Sequence, residues 1–325
     1  MKSEVYNQST CIMSSVIYKY YVENKTGAQI SRELGLSTST VSRLLKRARE
    51  EGLVEIRITE PYMTCLLMEQ EIQEKFHLKD AMVVPILGEE NQVGEDDIKK
   101  QVALEGARYV QRNIEDGDTI GLNWGGTMYH LIQYLNPCQK VNANIVTMHG
   151  SIASCDRKLA VKTLVRRAAM AFGGKSFSLT HEGLFPSAEE LKKVREKKEC
   201  QEIFDLFEKI NMSISGVGDF EPDHGSLLSH TGYLNEREHE NLRQKKAASD
   251  ILLRFVNHKG EECDTDLKDR TLSISIDTYK KIPNKVIVAS GSYKARAIRS
   301  LVNGGLVDTL IIDYYLAREF INLIH

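Results

Sequence analysis

A chain of 325 residues with 42% hydrophobic and 27% charged side chains has the composition of a folded protein of two or three domains, which excludes disorder over most of its length. Lys and Arg number 43 against 45 Asp and Glu, so any affinity for nucleic acid has to come from a local patch. The six cysteines (Cys11, Cys65, Cys138, Cys155, Cys200, Cys263) form no C-x-x-C pair and no zinc-like spacing, and neither a secretory leader pattern nor an apolar run of ~20 residues occurs. The expectation is a cytoplasmic protein with reduced thiols, no metal and no membrane partner.

Ile12, Val16, Ile17, Tyr20 and Tyr21 recur at helical intervals and predict a first helix. The stretch TGAQISRELGLSTSTVSRLLKRAREEGLVEI, residues 26–56, predicts two more. Apolar positions Ile30 and Leu34 fall on one side of Gly35, and Val41, Leu44, Leu45 and Ala48 on the other. Gly35 suits the left-handed end of one helix and Ser37 the N-cap of the next. Lys25, Arg32, Arg43, Lys46, Arg47 and Arg49 face a single acid, Glu33, over residues 25–49, an electrostatic footprint suited to phosphates. Such a helix pair is often only amphipathic, with a solvated basic face. The turn, the cap and the clustered charge together point to DNA. Arg43, Lys46 and Arg47 would meet the duplex, and Ser37, Thr38, Ser39 and Thr40 would reach base edges in the major groove. The alternating run 53–58 is read as the strand of a wing.

Pro61 ends that run, and residues 63–78 read as a connecting or dimerising helix with Leu66, Leu67, Ile72 and Phe76 as its stripe. From residue 81 strands alternate with helices, the pattern of a parallel sheet in a Rossmann-like α/β domain. Strands are expected at 81–86, 119–123, 144–148, 176–179, 212–217, 286–289 and 309–312. Helices are expected at 98–114, 157–172, 188–210, 293–302 and 315–324, the charged run EELKKVREKKECQE being the solvated face of one of them.

Three strand ends carry chemistry. In DTIGLNWGGTMYHLI a strand delivers Gly125, Gly126 and Thr127 to a helix start, where bare N–H groups and a hydroxyl can cradle a phosphate; paired glycines also merely turn strands into helices. In KVIVASGSYKARAI a second glycine turn leads to Lys294, a cation early in a helix that opposes the macrodipole and suits an anionic ligand or open solvent. In NIVTMHGS, His149 is either a ligand contact or a hydrogen-bonded structural histidine. Neither turn is a Walker A loop or a full G-x-G-x-x-G fingerprint, so no ATP, dinucleotide or other cofactor is expected. His224, His230 and His239 match no metal pattern; the first two lie in the Gly-, Pro- and Ser-containing region 216–232, read as a loop bordering the cleft.

The segments ISRELGLSTSTVSRLLKRAREEGLVEI, IGLNWGGT, VIVASGSYKARAI and LVNGGLVDTLIIDYYLA together resemble the SorC (DeoR-type) family of bacterial sugar-binding transcriptional regulators over nearly the whole chain. On this reading the chain has three parts, a helix-turn-helix domain at 1–59, a linker helix at 60–78 and a larger domain at 79–325, and the resemblance implies that the last is an effector and oligomerisation domain similar to sugar-phosphate isomerases. It implies a phosphorylated sugar as effector, a double-stranded operator, and dimers or tetramers. Carried over by position, Gly125, Gly126, Thr127 and Lys294 would hold the phosphate, Asp250 would bond sugar hydroxyls, and Asp313 would lie near the pocket. The chain departs from the family in having Ser249 before that aspartate and Ser151 where a second glycine is common. A non-enzymatic regulator is therefore expected. The competing readings are an isomerase-like enzyme using Asp250 or His149 as acid and base, and a purely oligomerising scaffold.

Overall fold

The computed structural model describes residues 10–152, 156, 159–220, 228 and 232–323. Cys155, His224 and His230 lie outside the described residues. The chain divides into two units, Met1–Thr59 and Glu60–His325.

In the smaller unit, α1 (Thr10–Ile17) runs into a π-helical turn at Tyr18–Val22 and is followed by α2 (Gly27–Leu34) and α3 (Thr38–Glu50). A reciprocal cap opens α2: Gln29 N–H donates to Thr26 Oγ1 at 3.3 Å and Thr26 N–H to Gln29 Oε1 at 2.8 Å. Gly35, at φ 64°, closes it in the left-handed region, and Ser37 caps α3 by accepting from Thr40 N–H at 3.1 Å. The core is Met13, Val16, Ile30, Leu36, Val41, Leu44, Leu45 and Ala48. Tyr20 and Tyr21 do not join it; they are exposed on the π-helical turn, which rotates them off the apolar stripe. The expected wing is also absent: residues 53–58 form no strand, because among the described residues of this unit no second strand exists to pair with them.

The larger unit is built on a seven-stranded sheet in the order β1-β10-β9-β5-β2-β3-β4, every pair parallel. Its strands are β1 (Asp80–Val84), β2 (Thr119–Leu122), β3 (Asn144–Thr147), β4 (Lys175–Phe177), β5 (Met212–Ser215), β9 (Asn284–Ala289) and β10 (Thr309–Asp313). Alternation sorts their side chains. Val286, Val288 and Ile311 pack with α5 (Glu95–Asn113), α6 (Gly126–Gln133) and α7 (Val161–Phe172) on one face. Ile287, Ala289, Leu310 and Ile312 pack on the other face with α4 (Tyr62–Phe76), α9 (Lys198–Phe207), α13 (Ala295–Asn303) and α14 (Tyr314–Asn322). On α4 the buried stripe is Cys65 and Ile72, flanked by Met68 and Phe76; Ile72 and Phe76 are as expected from the sequence, while Leu66 and Leu67 face outward and Cys65 and Met68 take their places.

The long helix expected at 188–210 is two, α8 (Ala188–Arg195) and α9, broken where Lys197 turns extended at ψ 136°. The break has a cause in phase. At 100° per residue Leu191 and Val194 would point nearly opposite to Cys200, Ile203 and Phe207, and the interruption lets both sets face the core. A three-stranded antiparallel sheet, β6 (Gly218–Asp219), β7 (Ala247–Ile251) and β8 (Arg254–Asn257), is inserted between β5 and β9 together with α10 (Glu236–Gln244), α11 (Leu267–Arg270) and α12 (Ile276–Lys280), and it packs on α13.

From the middle of the parallel sheet, the chain steps outward through β2, β3 and β4 in one direction and through β5, β9 and β10 in the other. The loops after β2, β5 and β9 therefore gather at the carboxyl edge where the direction of winding switches, the place where open α/β sheets take ligands.

Candidate functional site

On α3, Arg43 is exposed and makes no ion pair with a described residue. Lys46 stands 3.7 Å from Glu50, and Arg47 Nε donates to Glu51 at 2.5 Å. Lys25 is clamped at 2.8 Å by both Glu23 and Glu33, which raises its pKa above the ordinary lysine range, while Lys19 and Lys25 pull Glu33 down to about 2. The basic excess counted along the chain is thus partly neutralised in space. Ser37, Thr38 and Ser39 are exposed. Thr40 is not: it is 5% exposed, its Oγ1 is 2.8 Å from Ser37 Oγ, and it lies on the buried side with Val41, Leu44 and Ala48. It braces the cap and cannot reach a base edge.

At the carboxyl edge of the parallel sheet the two glycine turns come together. Gly125 ends β2's loop at φ 112° and Gly291 ends β9's loop at φ 101°, backbone conformations that side-chain-bearing residues rarely adopt. The first turn presents the free N–H groups of α6, with Thr127 buried beside them. The second leads through a short 3₁₀ turn to Lys294, which is half-buried with its ammonium 5.7 Å from the centre of the Tyr293 ring. Asp313 holds this second turn. Its carboxylate, fully buried, accepts from Gly291 N–H at 2.8 Å and from Tyr315 N–H and Leu316 N–H at 2.9 and 3.0 Å. The aspartate expected near the pocket therefore acts on backbone amides, as N-cap of α14 and anchor of the turn.

A second cation completes the arrangement and was not singled out from the sequence. Lys99 of α5 runs past the helix start, its Cδ 3.7 Å from where a Cβ on Gly126 would lie. Burial, and next the positive charge of Lys99, push the Lys294 pKa down from 10.5 to about 8, against the opposing fields of Asp250, Asp219 and Asp313. Neither lysine forms an ion pair with a described residue. Two mutually repelling cations beside unsatisfied helix N–H groups make a place where an anion is stabilised.

Asp250 stands on β7, 6% exposed, opposite Gly218 of β6 and within the field of Lys294. Ser249 points the other way, its Oγ 2.7 Å from Ser300 Oγ on α13, so the departure from the family at that position is absorbed by packing against the helix. His149 is completely buried, and its Nδ1–H donates to Gly150 O at 2.8 Å. Burial pushes its pKa to about 4, which keeps the ring neutral. One ring nitrogen is thus committed to the backbone, as the structural reading expects, while Nε2 is buried with no hydrogen-bond partner among the described residues, so a ligand contact stays open.

A family model describing a sugar-binding domain matches residues 60–322, and one for region 4 of sigma-70 factors matches residues 12–51. The chain is 30% identical to the deoxyribonucleoside regulator of Bacillus subtilis over 93% of its own length and 95% of the relative's. It is 28% identical to the sorbitol operon regulator of Klebsiella pneumoniae over 90% and 92%. The crystal structure of the full-length Klebsiella pneumoniae sorbitol operon regulator SorC superposes with a TM-score of 0.73 at 27% identity, covering 95% of this chain and 99% of that one. A transcriptional regulator from Streptococcus pneumoniae shares the fold at a TM-score of 0.74. No helix among the described residues is long and apolar enough to cross a membrane. With a helix-turn-helix unit followed by a sugar-binding domain, the chain belongs to the SorC family of transcriptional regulators.

Proposed function

We propose that this regulator binds a phosphorylated sugar at the carboxyl edge of its parallel sheet and that the bound effector changes its affinity for a double-stranded operator. The observation that carries the reading is the pair Lys99 and Lys294 beside the free amides of Gly126 and Thr127. The pair is unfavourable as it stands and is relieved by a dianion. Asp250 is the acceptor for sugar hydroxyls beside that seat. In the smaller unit Arg43 and, less strongly, Lys46 and Arg47 contact phosphates, and Ser37, Thr38 and Ser39 face base edges. A differential affinity of about 1–3 kcal/mol between DNA-competent and DNA-incompetent states is enough for useful switching.

The chain is further proposed to work as a homo-oligomer. Tyr62, Leu66 and Leu67 of α4 stay 45%, 45% and 52% exposed, and Tyr62 and Leu66 line a cavity of about 410 Å³ together with Met82 and Leu104. The test is calorimetric titration of phosphorylated sugars against their unphosphorylated counterparts, repeated with Lys294→Met, alongside operator binding followed by fluorescence anisotropy. Binding confined to the phosphorylated forms and lost in the variant is expected; equal binding of both forms overturns the reading.

A further inference from the structure

Tyr233 lies between Gly232 and α10, its ring packed against the core of the larger unit. Its Oη is buried and has no hydrogen-bond partner among the described residues. That is unusual, since a buried hydroxyl is nearly always satisfied. The two cations whose fields reach it are already committed. Arg254 donates to Ile274 O at 2.6 Å, to Ser273 O at 3.3 Å and to Glu262 at 2.5 Å; Arg270 donates to Phe185 O at 2.9 Å, to Asp266 at 3.0 Å and to Glu238. The phenol remains a neutral donor, because burial and then the charge of Asp250 raise its pKa.

Its position ties it to the site. The Oη lies 3.4 Å from where a Cβ on Gly183 would stand, and Gly183 N–H donates to Ser151 O at 2.6 Å, so the hydroxyl sits over the loop that follows β3. The field of Asp250 reaches both Tyr233 and Lys294. Asp250 is therefore the group that Tyr233 and the cationic seat share.

We propose that Tyr233 reads the sugar end of the effector, its O–H donating to a ligand hydroxyl oxygen whose own O–H donates to the Asp250 carboxylate. One hydroxyl can do both, accepting from the phenol and donating to the carboxylate. The ligand class is then a phosphorylated sugar or polyol with a free hydroxyl at the carbon facing Asp250. The inference rests on the phosphorylated-sugar reading above.

The test uses the full chain and Tyr233→Phe. Calorimetry is run with ribose 5-phosphate, glucose 6-phosphate, fructose 6-phosphate and sorbitol 6-phosphate, then with inorganic phosphate. For the sugar phosphate that binds the wild type, the variant should bind roughly tenfold more weakly, the size of one neutral hydrogen bond, while inorganic phosphate binds both proteins equally. The ligand-free variant should melt no lower than the wild type, since the lost hydroxyl had no partner. Equal affinity of both proteins for the sugar phosphate overturns the role of Tyr233 and leaves the phosphorylated-sugar reading standing. A lowered melting temperature without ligand also overturns it, by revealing a structural partner. Failure of every sugar phosphate to bind the wild type overturns both readings together.

Discussion

If an anion settles between Lys99 and Lys294, its binding must be linked to protons. Without ligand, burial and the neighbouring Lys99 hold Lys294 near a pKa of about 8, against an ordinary value of 10.5. A bound dianion restores the charged form, so the pKa rises toward its ordinary value on binding. The sign follows. Below pH 8 the lysine is already charged and affinity is flat; above it, binding must first draw a proton from solvent and affinity falls about tenfold per pH unit. Full restoration corresponds to 10.5 minus 8, or 2.5 units, a ceiling of about 300-fold in affinity. At pH 9 the expected loss relative to pH 7 is about tenfold, and at pH 8.5 roughly 0.7 proton is taken up per ligand bound. On the acid side the ligand's own phosphate becomes a monoanion below about pH 6, so affinity should be greatest from roughly pH 6.5 to 7.5. Titration calorimetry at pH 8.5 in two buffers of different ionisation enthalpy measures the uptake directly. Lys99→Met should shift the alkaline fall to higher pH, because it removes the repulsion acting on Lys294. An affinity independent of pH from 7 to 9.5, with no proton uptake, would refute the argument that Lys294 faces the effector.

Replacing Arg43 by Ala should weaken operator binding and reduce the salt slope by about one, leaving effector affinity unchanged; Arg47→Ala should do less, because Glu51 already neutralises Arg47. Anisotropy titrations at several salt concentrations check both. His149 is neutral when folded, with a pKa of about 4 against 6.5 when unfolded, so stability is intact above pH 6.5 and is lost as pH falls toward 4. At pH 5 the loss is about 2 kcal/mol, to be read from urea midpoints at pH 7 and 5, and His149→Gln should abolish that pH dependence if the variant folds. Gly291→Ala should cost roughly 1–3 kcal/mol by urea denaturation and impair effector binding, since φ is 101° and a Cβ would come within 2.6 Å of the Tyr293 ring.

What could be read in the chain was whatever repeats locally. β9 and β10 are buried on both faces, so NKVIVA and TLIID announce themselves as apolar runs, and the capped helix pair around Gly35 carries its own start and stop signals. The hairpin that positions Asp250 had no such signal. β7 turns into β8 through Leu252 and Leu253, at φ 57° and 63°, where a two-residue turn of this kind ordinarily uses Asn and Gly. Two leucines held in the left-handed region at 1% exposure are kept there by burial of their side chains. That compensation is tertiary and leaves no mark in the local sequence. The aspartate came from family resemblance; its strand did not.

Charge was legible as a count and illegible as a balance. Lys25 and Arg47 looked equivalent to Arg43 along the chain, yet among the described residues only Arg43 of the three has no carboxylate beside it; Glu23, Glu33 and Glu51 occupy the others. Lys99 looked like any solvent-facing residue of an amphipathic helix, and its significance depends on a glycine 27 positions away having no side chain to keep it off the helix start. Sequence supplies the cations, while folding decides which of them keep a neighbour. The ones left unbalanced are those an external anion can stabilise most, because no internal pair has to be broken first. Arg43 on the exposed face of α3 and the Lys99–Lys294 pair at the glycine turns are two such places among the described residues, and a phosphate is the partner proposed at both.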